Sequence, residues 1–219
     1  MGNPAAAEFL ALLLGGIAVL SLIVSSVTDC WRQDAKDPHS SVGLSSRCRG
    51  LWSECVYDNM ADLWTCDIPV SYLNEHPVSL VITRALMVVK GVLCIIALPI
   101  LILGMKCTTF VHVKRQKYAF SVSSGILFLL GGLSGGVAVL WYAVDTVLKY
   151  RLEVSLGVPG VTYELGYSYW MTAAGTVCAS TSGMLLIGMK CSQTQMEKKR
   201  KYLTCKQAAA QRSVGIIYL

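Results

Sequence analysis

Charged residues are scarce in this chain, because Asp, Glu, Lys and Arg make up 15% of its 219 residues while 54% are hydrophobic. Soluble domains average about 25% charged residues. The few charges present also fall into separate blocks. This balance excludes an ordinary soluble domain and is typical of a membrane protein.

Histidine is also rare, and its three copies, His39, His76 and His112, are far apart in the chain. No group of His and Cys residues has the spacing of metal ligands, and no glycine-rich phosphate loop follows a strand. The acidic residues lack the spacing of a calcium-binding EF-hand loop. We therefore expect a protein that is not an enzyme and has neither a cofactor nor a metal site.

Four apolar stretches predict membrane-spanning helices in a single domain of residues 1–219. The first, residues 9–28, carries no charge and is long enough to cross about 30 Å of hydrocarbon. No basic residue precedes it, and it exceeds the apolar core of about 7–15 residues in a cleaved signal peptide, so we expect a retained anchor. The other predicted spans are residues 80–105, 118–144 and 165–189.

The basic residues predict the orientation of these spans. The connector 106–117 holds four Lys or Arg and no acid, and the tail 190–219 holds seven against Glu197. By the positive-inside rule these segments and both termini are cytoplasmic, so loops 29–79 and 148–164 are extracellular. The net charge of +6 thus reflects orientation and not a nucleic-acid partner. A basic tail beside a membrane is either solvated or close to anionic membrane lipid.

An ordered set of residues follows the first span: Trp31, then Gly50-Leu51-Trp52 with Cys55, then Cys66. Twenty residues separate the two tryptophans, two separate Trp52 from Cys55, and ten separate the cysteines. This spacing resembles the signature of the claudin family. The resemblance covers roughly residues 8 to 191, and it includes Arg84 at the start of the second span and Tyr163 to Gly166 before the fourth.

The resemblance implies an α+β membrane protein. Its fold would be a four-transmembrane-helix bundle with a small antiparallel extracellular β-sheet, built from four strands of the first loop and one of the second. Within the family, the stretches Asp29-Cys30-Trp31, Cys48 to Trp52, Glu75-His76-Pro77 and Trp141 to Asp145 resemble the paracellin-type claudin. That type is associated with divalent-cation reabsorption.

The signature cysteines, Cys55 and Cys66, are expected to form a disulfide. A loop of about fifty polar residues buries too little apolar surface to offset its ordering entropy. A disulfide that closes this short loop contributes roughly 3 kcal/mol, and it persists in an extracellular loop. Cys30 and Cys48 are additional to the family pair. They could form a second disulfide, link two chains or remain free thiols, since four cysteines allow three full pairings.

Two features inside the predicted spans are unusual. Lys90 lies near the middle of the second span, where a lysine costs about 2.5–3.5 kcal/mol. Hydroxyls such as those of Ser134, Thr176 or Ser180 could solvate it, and we favour this structural interpretation over a role in transport. The third span also has four closely spaced glycines at positions 131, 132, 135 and 136, which favour close helix packing within one molecule over a dimer contact.

Claudin resemblance implies a tight-junction strand protein of the plasma membrane that assembles with other claudins. It also implies that Asp58 and Asp67 lie near a conduction path. The acidic first loop, with eight acids and four basic residues, favours a cation-selective pore. Arg49 favours a barrier-forming claudin instead. An auxiliary or myelin-type relative is the third alternative, but that group often has a glycosylation sequon that Asn59 and Asn74 do not form.

Two further sequence features predict modification and binding sites on the cytoplasmic side. Cys107 and Cys191 follow the second and fourth spans beside lysines, where reversible palmitoylation occurs. The chain ends in Tyr218-Leu219, and a C-terminal segment with a hydrophobic last residue binds PDZ scaffold proteins by strand addition. Claudins usually end in Tyr-Val, so the leucine is a departure from the family.

Overall fold

The computed structural model describes residues 4–28, 30–34, 45–58, 63–69, 78–105, 114–157 and 163–215. Its helices are α1 (Pro4–Val27), α2 (Val78–Gly104), α3 (Lys114–Ser155) and α4 (Tyr167–Gly215). Its strands are β1 (Arg32–Asp34), β2 (Ser45–Arg49), β3 (Ser53–Asp58), β4 (Leu63–Pro69) and β5 (Tyr163–Leu165). The predicted fold class, four long apolar helices with a small antiparallel sheet, is confirmed.

All four helices contain a segment that is long and apolar enough to cross a membrane. Large apolar side chains point outward from the bundle, and Leu20, Leu133 and Leu140 are 64–67% exposed. Small polar side chains are buried inside, where their hydroxyls donate to carbonyls of their own helix, as Ser25 does to Leu22. Apolar side chains outside and small polar side chains inside are the reverse of the distribution in a soluble protein, and this arrangement is stable when the outer surface faces lipid. The small interior residues also let the helices approach closely.

The helices extend beyond the predicted spans. α1 begins at residue 4, α3 continues past 144 to residue 155, and α4 continues past 189 to residue 215. Residues 148–155 of the predicted second loop are therefore helical, as is most of the predicted tail. Apolar length defined the predicted spans, but helical hydrogen bonding also continues through polar residues. α3 ends just before Gly157, whose φ of 69° lies in the left-handed region that glycine adopts without strain.

The five strands form one antiparallel sheet in the order β4-β3-β2-β1-β5. β1 to β4 come from the first loop, and β5 directly precedes α4, in agreement with the prediction. β1 pairs with β5 through Arg32↔Leu165 and Asp34↔Tyr163. Because β1 follows α1 and β5 precedes α4, the sheet is attached to the ends of two helices.

Glycines in α3 allow it to pack closely against its neighbours. Gly132 lies so close to Ser180 of α4 that a Cβ at this glycine would overlap the serine hydroxyl. A Cβ at Gly135 would lie 2.7 Å from Cδ of Lys90, and Gly131 faces α2 in the same way. These three glycines support the predicted packing within one molecule.

Candidate functional site

Trp31 lies where the sheet meets the helix bundle, and its side chain is fully buried. Its indole Nε1 donates to the carbonyl oxygen of Ser25 near the end of α1, at 3.1 Å. Its ring packs edge-on against Tyr142 of α3 and Tyr169 of α4, with centroid distances of 5.3 and 6.3 Å. Such aromatic pairs contribute about 0.5–1.5 kcal/mol each beyond area burial. Trp31 thus joins three helices at the base of the sheet.

The turn between β2 and β3 inserts into the same junction. The backbone N–H of Gly50 donates to the carbonyl oxygen of Ser53 at 3.0 Å and closes the turn. Leu51 is 1% exposed and belongs to the same apolar cluster as Trp31 and Met87 of α2. The turn therefore fixes the sheet onto the bundle by burying one leucine.

Arg84 of α2 holds this turn from the other side. Its Nε donates to the carbonyl oxygen of Leu51 at 2.6 Å, and its guanidinium carbon lies 5.3 Å from the centroid of the Trp52 ring. Four of the signature residues, Trp31, Leu51, Trp52 and Arg84, therefore meet at the junction of sheet and bundle, whereas Cys55 and Cys66 lie on β3 and β4.

Replacing Arg84 with lysine is expected to destabilise the protein by about 1–3 kcal/mol, because the buried Leu51 carbonyl loses its donor and an ammonium cannot stack as a planar guanidinium does. Thermal unfolding in detergent measures this. Arg151 is exposed on α3, and Arg151→Lys is the matched control, with an expected change within about 0.5 kcal/mol. Equal melting temperatures for the two variants would contradict the role of Arg84.

One disulfide lies within the sheet and a second attaches to it. Cys55 of β3 is bonded to Cys66 of β4, the pairing expected for the signature cysteines. Cys30 is bonded to Cys48 of β2, so the structure contains the intramolecular bridge among the three arrangements left open by the sequence. Because Cys30 follows α1 directly, this second bridge joins the bundle to the sheet covalently.

A backbone seam joins the two residues before β1 to the start of α4. The N–H of Gly166 donates to the carbonyl oxygen of Trp31 at 2.9 Å, and the N–H of Ser168 donates to that of Cys30 at 3.2 Å. A Cβ at Gly166 would overlap the Cys30 carbonyl oxygen. Only glycine permits this close approach of the two segments.

Asp58 and Asp67, the predicted pore acids, lie on neighbouring strands. Asp58 is the last residue of β3 and pairs with Leu63 of β4. Asp67 lies within β4 directly after Cys66. Both positions belong to the β3–β4 half of the sheet, at the edge opposite β5.

Lys90 is buried in the centre of the bundle. Its Nζ donates to Thr176 Oγ1 at 2.8 Å and to the carbonyl oxygen of Thr172 at 3.4 Å, both on α4. Thr176 was one of the three predicted partners, whereas the hydroxyl of Ser134 donates to Gly131 and that of Ser180 to Thr176. These contacts agree with a structural role for the lysine in holding α2 against α4.

Sequence reasoning missed a second buried charge contact, an ion pair between α1 and α4. Lys190 Nζ lies 2.8 Å from Glu8 Oε1, and the side chains are 5% and 3% exposed. The sequence did contain a signal for this pair. Glu8 directly precedes the first predicted span, and Lys190 directly follows the fourth. Because the chain crosses the membrane four times, these two ends lie on the same side of it. The positive-inside rule counts Lys190 only as part of the basic tail.

The remaining predicted sites follow the second and fourth predicted spans in the sequence. Cys191 is an exposed free thiol on α4, whereas Cys107, Tyr218 and Leu219 lie outside the described residues. Within the ranges that the structure describes, no group of three His, Cys, Asp or Glu side chains is arranged to hold a metal ion. The junction around Trp31 and the acidic strands are therefore the two features that bear on function.

Comparison with known proteins agrees with this arrangement. Residues 6–186 match the model of the PMP-22/EMP/MP20/Claudin family. Claudin-16 of Mus musculus is 37% identical over 183 residues, which cover 83% of this chain and 75% of that protein. This chain belongs to the claudin family. Human Claudin-16 is 34% identical over 82% of this chain and 76% of that protein, and human Claudin-2 is 30% identical over the same shares.

Family membership confirms that this claudin is a multi-pass membrane protein, and the Claudin-16 relatives agree with the predicted likeness to the paracellin type. The prediction of a tight-junction claudin is confirmed at the level of the family. Claudins have structural or channel-like roles, which agrees with the expectation that the chain is not an enzyme.

Proposed function

We propose that this claudin forms tight-junction strands and lines a cation-selective paracellular pore with the β3–β4 half of its sheet. The observation that carries the proposal is that Asp58 and Asp67 lie on β3 and β4, the two adjacent strands farthest from β5. Carboxylates beside a narrow aqueous path attract cations and repel anions. The first loop, residues 29–79, supports this choice because its eight acids exceed its four basic residues.

The rigid base of the sheet supports a pore role. The second disulfide, the buried turn at Leu51 and the Gly166 seam attach the sheet to the ends of α1, α2 and α4. A sheet held at several points keeps its strands at fixed positions relative to the membrane. Fixed charges discriminate between ions better than charges on a loose loop, because they do not move away from the path.

The direct test of the pore is Asp67→Asn, alone and combined with Asp58→Asn, in an epithelial layer with low endogenous permeability. One charge about 8 Å from an ion contributes about 1 kcal/mol at an effective dielectric of about 40. The sodium-to-chloride permeability ratio is therefore expected to fall about fivefold for the single variant and further for the double variant. Dilution potentials measure the ratio.

Glu164 provides the matched control, because it is exposed on β5 at the opposite edge of the sheet. Glu164→Gln is expected to leave the permeability ratio unchanged at equal surface expression. An equal fall in Glu164→Gln would indicate general surface charge and contradict the pore assignment. An unchanged ratio in the Asp58 and Asp67 double variant would instead favour the barrier-forming claudin, which Arg49 supports.

Assembly and partners belong to the same proposal. Contacts with other claudins in the same and the opposing membrane would build the strands, with residues 150–159 taking part across the intercellular gap. Strands seen by freeze-fracture in cells without junctions support it, and their absence would favour an auxiliary four-span protein. Both termini would lie in the cytoplasm, with acyl groups on Cys107 and Cys191 and a PDZ scaffold at Tyr218-Leu219.

A further inference from the structure

A groove of about 1040 Å³ lies outside the bundle where α1 begins and α4 continues beyond its apolar part. Ala7 of α1 forms one wall, and α4 from Gly188 to Leu203 forms the other. Ala7 and Gly188 are small, so the groove is open at the end next to the bundle. Its volume is at the upper end of the range for small-molecule ligand sites, about 300–1000 Å³.

The floor of the groove is apolar. Met189, Met196 and Leu203 line it and recur every seven residues, so they share one face of α4. Met196 is 52% exposed and Leu203 is 50% exposed. Methionine side chains adapt to irregular apolar partners such as an acyl chain. This face therefore offers an apolar surface that continues from the membrane-spanning part of the helix.

The outer part of the groove is cationic. Lys199 and Arg200 line it together with one acid, Glu197, whose charge is balanced by an ion pair with Lys201 at 3.0 Å. Side chains on a helix lean toward its N-terminus, which for this part of α4 is the direction of the bundle. Lys199 lies about 14 Å along the axis from Lys190 at 1.5 Å per residue, and the lean shortens the distance of its ammonium from the membrane.

We propose that this groove binds an anionic phospholipid, with an acyl chain along Met189 and Met196 and the headgroup phosphate against Lys199 and Arg200. An apolar floor that adjoins the hydrocarbon and a cationic outer end match this amphiphile in shape and charge. A second copy of the tail fits less well, because six Lys or Arg against one acid in residues 190–206 would repel an identical segment. The proposal does not depend on the pore function.

A charge test uses the full-length protein in nanodiscs of phosphatidylcholine with a minor fraction of phosphatidylserine. Native mass spectrometry counts the phosphatidylserine molecules that remain bound after release. Lys199→Gln with Arg200→Gln is expected to reduce retained phosphatidylserine about fivefold or more, since these two side chains line the groove and would contact the headgroup phosphate. Lys198→Gln with Lys206→Gln removes the same charge from exposed positions outside the groove lining. Because these side chains do not line the groove, the change is expected to alter retention less than about twofold.

A steric test leaves the charge unchanged. A Cβ at Gly188 or at Gly16 meets no atom within 4 Å, so leucine fits at either position. Gly188→Leu is expected to fill the groove and reduce retention as strongly as the charge variant, whereas Gly16→Leu, away from the groove on α1, retains the wild-type amount. Equal losses in both charge variants, no loss in Gly188→Leu, or equal retention of phosphatidylcholine and phosphatidylserine would each overturn the proposal.

Discussion

Replacing Lys190 with methionine is expected to destabilise the protein by about 3–5 kcal/mol, because the change breaks a buried ion pair by removing its cation. Lys190 and Glu8 are separated by 2.8 Å and are almost fully shielded from solvent. Removing water from two charges is costly, and mutual attraction offsets that cost only while both partners are present. Loss of one partner therefore costs more than the pair contributes in net stability.

Thermal unfolding of purified protein in detergent measures this effect, and Lys201→Met on the same helix is the matched control. Lys201 also forms an ion pair, with Glu197, but the two side chains are 77% and 69% exposed. Its loss is expected to cost no more than about 1 kcal/mol. Glu8→Gln combined with Lys190→Met should recover most of the lost stability. Equal destabilisation by Lys190→Met and Lys201→Met would show that burial does not increase the energetic cost of breaking the ion pair.

Replacing Cys55 and Cys66 together with serine is expected to cost about 3 kcal/mol and to reduce delivery of the protein to the cell surface. The disulfide closes a loop with a sequence separation of 11, and chain entropy assigns about 3 kcal/mol to a loop of this length. Replacing Cys30 and Cys48 together with serine removes a disulfide that closes a loop with a sequence separation of 18. This double variant should lose about the same free energy of unfolding.

Peptide mapping of the non-reduced surface protein by mass spectrometry identifies both bridges directly. Cys191→Ser changes an exposed free thiol on α4 and is the control for a cysteine-to-serine change without loss of a bridge. Free thiols at Cys55 and Cys66 in correctly delivered protein would contradict the sheet arrangement. Mixed partners for Cys30 and Cys48 would contradict the second bridge alone.

The sequence predicted the parts of the fold that depend on local composition. Uncharged runs indicate helices because lipid leaves the backbone no other partner. The spaced signature at Trp31, Cys55 and Cys66 indicated the family, and with it the five-strand sheet. The sequence placed Lys90 deep in the membrane because it lies about ten residues into the second predicted span. Thr176 was among its expected hydrogen-bond partners.

The parts that the sequence left open depend on contacts between distant segments. The pairing of Cys30 with Cys48 requires the turn at Leu51 to seat β2 beside the end of α1, and no local pattern encodes this distance. The Glu8–Lys190 pair joins residues 182 positions apart. The C-terminal ends of α3 and α4 lie beyond the predicted ends of the third and fourth spans. An apolar stretch indicates where the chain crosses the membrane, but it does not indicate where the helix ends.

The continuation of α4 to Gly215 makes the segment after Lys190 a spacer of defined length. Twenty-five residues at 1.5 Å per residue extend about 38 Å as a helix. A flexible chain of the same length would let an attached protein sample many positions near the membrane. A continuous helix instead holds it at one distance from the membrane. Rotation of the bundle about the axis of α4 would then turn the far end of the helix, so the orientation of each molecule would be transmitted to whatever is attached there.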